Sequence, residues 1–350
     1  MQKVVEFLQK NPVQYLATVG RDGKAKCRPF MFCFEQDGKL WFCTNNTKEV
    51  YKDMQENPEV EVSVSSPEYA WIRLHGKAVF ENNMSVKEGC MNNPIVKGQY
   101  QTTDNPIFEV FYLENPHGVI ADFLEIHLMN SSTTVLNSGI SRKRREFEMT
   151  KMDYLKLLVD EIHSTTVATI GSDGHPQTRI IDMMYYDEEG VYFLTAKGKA
   201  FYDQLMEQQY VAISATKEKI AVSLRGRIKN IGKKNLDIMF ERNPYMKKIY
   251  PGDTKDAIEV FQLYEAQGEY FDISNPSNIV RNTITIGKAE AVQTGYFVGK
   301  DCIGCKLCYS VCPQKCIDIS SVPVTINQNH CLHCGRCAEI CPKQCIEKRG

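Results

Sequence analysis

Ten of the 14 cysteines lie between Cys302 and Cys345, and their spacing is that of ligands. Cys302, Cys305, Cys308 and Cys312 follow Cys-x2-Cys-x2-Cys-x3-Cys with Pro313 next. Cys331, Cys334, Cys337 and Cys341 repeat the run 29 residues on, with Pro342 next. Three thiolates on one tight loop reach three corners of an iron–sulfur cubane, and the fourth, further along, ligates the cluster of the other run. The expected sets are therefore Cys302, Cys305, Cys308 and Cys341 for one [4Fe–4S] cluster, and Cys331, Cys334, Cys337 and Cys312 for the second. The rival, a pair of zinc sites, does not require a doubled run of four ending in Cys-Pro. Cys316 and Cys345 read as small buried packing residues, with a spare ligand or tuning sulfur as the alternative. His333, inside the second run, reads as a solvated loop residue. Cys27, Cys33, Cys43 and Cys90 are dispersed, a distribution expected of a cytoplasmic, metal-binding chain and not of a disulfide-stapled one.

A second constellation is duplicated. Ala17-Thr18-Val19-Gly20-Arg21-Asp22-Gly23 recurs 151 residues later as Ala168-Thr169-Ile170-Gly171-Ser172-Asp173-Gly174. Arg28 meets Arg179, Thr44 meets Thr195 and Lys48 meets Lys199 at the same shift, and Leu74-His75-Gly76-Lys77 meets Leu224-Arg225-Gly226-Arg227 at 150. A guanidinium fork, a hydroxyl and an ammonium together can grip a phosphate. With no Gly-x-Gly-x-x-Gly or Walker loop in the chain, a phosphate monoester such as that of FMN fits better than a dinucleotide or triphosphate. The copies differ beside the triplet, Asn45-Asn46-Thr47 against Ala196-Lys197-Gly198, so FMN is expected in one or both. His75 and Arg225 are further candidates for flavin or substrate contact, a plain structural role being the alternative.

The elements that must carry these residues are short Val-, Ile-, Phe- and Tyr-rich runs bounded by Gly and Asp-Gly turns, the pattern of hairpins. In the first copy they fall at about 13–19, 27–34, 39–43, 60–65, 71–80 and 107–113. Met152, Leu155, Leu158, Val159 and Ile162 share one helical face, and further helices should begin near Lys48 and Lys199. The expected fold is mainly β with α: tandem β-barrels forming an internal pseudo-dimer, and a small α+β iron–sulfur domain. The expected bounds are 1–126 for the first barrel, 127–150 for a linker, 151–274 for the second barrel, 275–295 for a connecting segment and 296–350 for the cluster domain. Within the linker, Arg142-Lys143-Arg144-Arg145 reads as a solvated basic run, anion binding being the alternative.

The chain has 350 residues and a net formal charge of −1, which argues against a nucleic-acid or membrane-surface partner. No apolar run reaches the roughly 18 residues of a membrane span.

Residues 296–350 resemble bacterial two-cluster ferredoxins. Asp-Gly-x-x-x-x-Arg, then a strand ending in Thr, then Lys, then Asn-Pro resembles the pyridoxamine 5'-phosphate oxidase-like, FMN-binding split-barrel family in both copies. The resemblance implies split barrels with FMN at their interface, its phosphate toward Arg28, Thr44 and Lys48 or Arg179, Thr195 and Lys199. The expected function is an FMN-dependent oxidoreductase, a reductase by preference. In it two [4Fe–4S] clusters relay electrons to or from FMN, which acts on a small-molecule acceptor or donor. The alternative is an electron-transfer or redox-sensing protein with no small-molecule turnover. A redox protein partner fits either reading, as does a monomeric pseudo-dimer or a homodimer.

Overall fold

The computed structural model describes residues 1–67, 70–121 and 149–349. The basic run Arg142–Arg145 and nearly all of the expected linker lie outside the described residues.

The first copy opens with helix α1 (Gln2–Lys10), followed by strands β1 (Gln14–Val19), β2 (Ala25–Phe30), β3 (Phe32–Gln36) and β4 (Lys39–Asn45). Helix α2 (Glu49–Glu56), β5 (Glu59–Ser65), β6 (Trp71–Phe80), α3 (Met84–Cys90), α4 (Pro94–Tyr100) and β7 (Phe108–Ala121) complete it. All pairings are antiparallel, in the order β2-β1-β5-β6-β7-β4-β3. The expected strand at 27–34 is two strands, because the chain turns at Met31 and the Phe32 N–H donates to the Gln14 side chain at 2.6 Å. β2 and β3 thereby become the two ends of one curled sheet, so the barrel is split there and does not close by strand pairing.

The second copy repeats this order. Its strands are β8 (Ser164–Ile170), β9 (Pro176–Asp182), β10 (Tyr185–Asp187), β11 (Gly190–Ala196), β12 (Tyr210–Lys217), β13 (Ile220–Asn230) and β14 (Ile258–Asp272), arranged β10-β11-β14-β13-β12-β8-β9. Part of the expected connecting segment is itself a strand, β15 (Val280–Ile286), added to β14. Alternation along β4 sends Leu40, Phe42 and Thr44 to one face, and the first two join a core with Leu16, Val60, Val62, Ile72 and Phe111. Phe42 stacks on Phe111 with ring centroids 5.4 Å apart, and the equivalent Phe193 stacks on Phe261 at 5.8 Å. Gly226 recurs with Gly76 because its backbone runs against β14, where a Cβ would stand 2.1 Å from the Glu265 carbonyl oxygen.

The copies face each other through β2 against β12 and β9 against β5, the reciprocal arrangement of a two-fold dimer within one chain. Tyr15 bonds Thr216 across the seam at 2.7 Å, and an apolar patch of Ala17, Ala25, Cys27, Ala168 and Ala212 fills its centre.

The C-terminal unit pairs β16 (Gly295–Val298) with β19 (Ile346–Arg349) and β17 (Ile317–Asp318) with β18 (Thr325–Ile326). Two short helices, Leu307–Val311 and Arg336–Glu339, follow tight loops in which Gly304, Lys306, His333 and Gly335 have positive φ. The fold is thus mainly β: two split barrels plus a small α+β unit. No helix among the described residues is long and apolar enough to cross a membrane.

Candidate functional site

Two hollows in the C-terminal unit are ringed by sulfur. Cys302, Cys305, Cys308, Cys341 and Cys345 line the first. Cys312, Cys316, Cys331, Cys334 and Cys337 line the second, together with Tyr296. Each run of three therefore shares its hollow with the fourth cysteine of the other run, a crossing that the tight loops and the paired strands β16 and β19 impose. The two remaining cysteines also face the hollows: Cys316 Sγ lies 3.6 Å from Cys312 Sγ, and Cys345 Sγ lies 3.5 Å from Cys341 Sγ. His333 is not the solvated residue expected from its loop. Its Nε2 is buried without a protein partner, and burial, with Arg281 and Lys348 nearby, pushes its pKa down to about 3.

This unit docks on the first barrel and on β15 by specific contacts. Arg281 Nε donates to the Cys331 carbonyl at 3.2 Å, and His330 Nδ1 meets the Ile279 carbonyl at 2.8 Å. Lys348 donates to the Thr47 carbonyl and lies 3.3 Å from Glu49 Oε1. Arg336 reaches Gln101 at 3.1 Å, and Tyr296 pairs with Lys348 across β16 and β19. Thr47 immediately precedes Lys48, so the second sulfur ring sits against the N-terminus of α2.

The residues expected to hold a phosphate are divided between two neighbouring places. Arg28 donates to Thr18 Oγ1 at 2.9 Å and has Asp53 of α2 at 4.0 Å. It shares the barrel face with Phe30 and Thr44, and Arg225 of the other copy lies near enough to lower its pKa further after burial. Thr44 Oγ1 and Asn45 Nδ2 are buried without protein partners, and Asn45 Oδ1 accepts from the Thr47 N–H at 2.7 Å. Lys48, the N-cap of α2, has no acidic partner among the described residues; burial first, then Arg281 and Lys348, depress its pKa below the ordinary lysine value, while nearby Cys43 opposes this. Two orphaned polar groups and an unpaired ammonium at a helix N-terminus are the donor set of an anion site. The residues of the first copy thus fit the phosphate of FMN, although Arg28 touches neither Thr44 nor Lys48.

The second copy fits less well. Arg179 spends its guanidinium on the Thr178 carbonyl at 2.7 Å and on Gln177 at 2.8 Å. Lys199 is exposed, and the extra cation Lys197 is held by Glu259 at 2.6 Å. Thr195 is buried. His75 stands at the seam, its ring stacked on His175 at 5.1 Å and its Nε2 3.4 Å from Glu59. Its counterpart Arg225 is exposed on β13.

Residues 1–101 and 152–271 match the family Pyridoxamine 5'-phosphate oxidase, and residues 301–345 match the 4Fe-4S dicluster domain. The chain belongs to the pyridoxamine 5'-phosphate oxidase family. A pyridoxine/pyridoxamine 5'-phosphate oxidase of Paracidovorax citrulli is 27% identical over 108 residues, 30% of this chain and 48% of that enzyme, so the match spans about half of the relative's length. Among solved structures, a NimC/NimA family protein from Clostridium acetobutylicum is 36% identical over 35% of this chain and 85% of its own, with a TM-score of 0.33. A putative pyridoxamine 5'-phosphate oxidase from Listeria innocua is 27% identical over 34% and 95%, with a TM-score of 0.29. This member of the pyridoxamine 5'-phosphate oxidase family thus carries a 4Fe-4S dicluster domain beside its two barrels.

Sequence reasoning missed Asn45, Arg281 and Lys348. Asn45 carried a signal, since the second copy has Ala196 in its place. Arg281 and Lys348 carried none, because they reach the site only through the docking of the cluster unit.

Proposed function

We propose that this family member is an FMN-dependent oxidoreductase that works as a reductase, exchanging electrons between its iron–sulfur unit and a flavin held at the first copy. The observation that carries this reading is the pairing of Tyr296 with Lys348. Tyr296 lines the sulfur ring of Cys312, Cys331, Cys334 and Cys337, and Lys348, opposite it on β19, donates to the Thr47 carbonyl next to Lys48. Bound FMN supplies the conversion between single electrons and an electron pair for a small molecule.

In this reading, Cys302, Cys305, Cys308 and Cys341 hold one [4Fe–4S] cluster, and Cys331, Cys334, Cys337 and Cys312 hold the other. Lys48 and the Asn45 amide, with Lys348 and Arg281 behind them, hold the flavin phosphate, while Arg28 and Thr44 lie on the adjoining barrel face. Arg179, Thr195 and Lys199 form a weaker second site.

The outer ring has the exposure of an electron entry point. Cys305 is exposed, and Ile303, Leu307 and Val322 around it are 59%, 42% and 62% exposed. A redox protein partner would dock there, and the inner ring would face the flavin. Fusion makes the exchange intramolecular, at an effective concentration no separate ferredoxin matches.

The test is anaerobic purification followed by iron and flavin determination. About eight irons and one FMN per chain are expected, whereas a full iron complement with no flavin bound even after FMN is supplied rejects the reading. Single-turnover mixing of the reduced protein with candidate acceptors then separates the enzyme from a carrier. Oxidation by proteins alone favours the carrier.

A further inference from the structure

The sulfur atoms of Cys33, Cys43 and Cys90 lie within 4.8 Å of one another. The geometry points to a three-sulfur site for one thiophilic metal ion, best suited to Zn2+, separate from both cluster hollows.

The three residues come from three elements. Cys33 is the extra residue where the β3–β4 register slips between Phe32↔Phe42 and Phe34↔Trp41. A bulge re-aims the side chain it carries, and here it brings Cys33 together with Cys43 of β4. Cys90 is the last residue of α3, which packs on the same face with Trp41, Val86 and Tyr100.

Three features favour an ion over ordinary packing. The first is metric: Zn–S bonds of about 2.3 Å in a tetrahedral array put sulfurs about 3.8 Å apart, within reach of small side-chain rotations from the observed grouping. The second is an internal comparison. At the equivalent places the second copy carries Met184, Leu194 and Phe240, all buried in one apolar cluster. The fold thus fills this position with large hydrophobic side chains where only packing is needed, and the first copy replaces all three with thiols. The third is charge. Zn2+ bound to three thiolates carries −1, and the Lys48 ammonium lies near Cys43 to balance it. Cys33 and Cys43 are only half-buried, which leaves a path for the ion and a fourth position for water.

On binding, each thiol releases its proton to solvent as a Zn–S bond forms, and no electron is transferred. The ion would pin α3 to the β3–β4 hairpin, on the side of the barrel that borders Lys48.

The experiment uses full-length, cluster-loaded protein produced with ZnCl2 in the medium and purified without oxygen. Zinc and iron are determined in parallel, and the zinc environment is read by X-ray absorption at the zinc edge. About one zinc per chain with three sulfur neighbours is expected. Cys33→Ser, Cys43→Ser and Cys90→Ser should each weaken zinc retention by about tenfold or more. Combined Cys33→Met, Cys43→Leu and Cys90→Phe, which copies the second barrel and so preserves packing, should abolish zinc and leave iron unchanged. Zinc that persists in the combined variant, wild-type protein that retains none, or a zinc shell without three sulfurs overturns the proposal. So does a disulfide among these cysteines in the oxygen-free protein.

Discussion

Glu61 of the first copy accepts two hydrogen bonds from Thr178 of the second, from its N–H at 2.6 Å and from its hydroxyl at 2.5 Å. Both residues are buried, and Arg73 donates to the Thr178 carbonyl at 3.0 Å. The pseudo-symmetric position holds Ala212 and Cys27 in an apolar patch. One half of the seam is therefore locked by a charge-assisted pair and the other by apolar burial, which fixes how the two copies meet. Replacing Glu61 with Ala leaves two buried donors without an acceptor, at a cost of about 3 kcal/mol. The expected outcome is a fall in thermal midpoint of roughly 4–5 °C. Glu61→Gln, which keeps an acceptor, should lose less than half of that.

Flavin retention should depend on the first copy. Arg28→Ala and Lys48→Ala are each expected to weaken FMN binding by roughly ten- to a hundredfold, the worth of a charge-assisted bond. Arg179→Ala and Lys199→Ala should have a smaller effect. Fluorescence of released flavin against iron content measures this, and equal losses from both copies would contradict the first copy as the stronger site.

Cluster loading should split in halves. Cys302→Ser and Cys331→Ser are each expected to reduce iron from about eight to about four per chain. Cys316→Ala and Cys345→Ala should leave it near eight, unless these sulfurs serve as ligands in place of Cys312 and Cys341. Iron assay with electron paramagnetic resonance of the reduced protein distinguishes the outcomes.

Docking should govern electron exchange without affecting the clusters themselves. Combined Arg281→Ala and Lys348→Ala removes the contacts to the Cys331 carbonyl, Glu269, Thr47 and Glu49. Iron content should be unchanged, while cluster-to-flavin exchange in rapid mixing slows on the order of tenfold as the effective concentration drops. An unchanged rate with FMN bound would place the flavin elsewhere.

One pH-dependent contribution resides in the second copy. Asp182 is half-buried, and bonds from His163, Ser164 and Tyr245 hold its pKa down at about 2. His163 also loses by burial, but the Asp182 carboxylate raises its pKa above the ordinary histidine value. The Asp182 contribution is complete above about 4 and is lost as pH falls toward its folded value. The His163 contribution is complete below about 6.5 and is lost as pH rises through its raised value. The stability difference between wild type and His163→Asn should therefore peak between about pH 4 and 6.5. Thermal unfolding across pH measures it, and a pH-independent difference would exclude the pair as its source.

Spacing and periodicity, read along the chain, determined both cysteine runs, the duplicated barrel pattern and the triplets Arg28–Thr44–Lys48 and Arg179–Thr195–Lys199. Each depends on local geometry: a tight loop presents its own thiolates, and alternation tells which residues share a face. Helices α3 and α4 escaped notice, being short and carried by an Asn cap and an Asn-Pro start instead of a long apolar stripe. Tertiary structure alone decided that the cluster unit docks against Lys48 and not Lys199, that Glu61 meets Thr178, and that Cys33, Cys43 and Cys90 meet. The two barrels have near-identical patterns, so which is covered depends on complementarity between segments some 300 residues apart, Thr47 with Lys348 among them. Such contacts form only when distant surfaces fit, and no residue spacing along the chain encodes that fit.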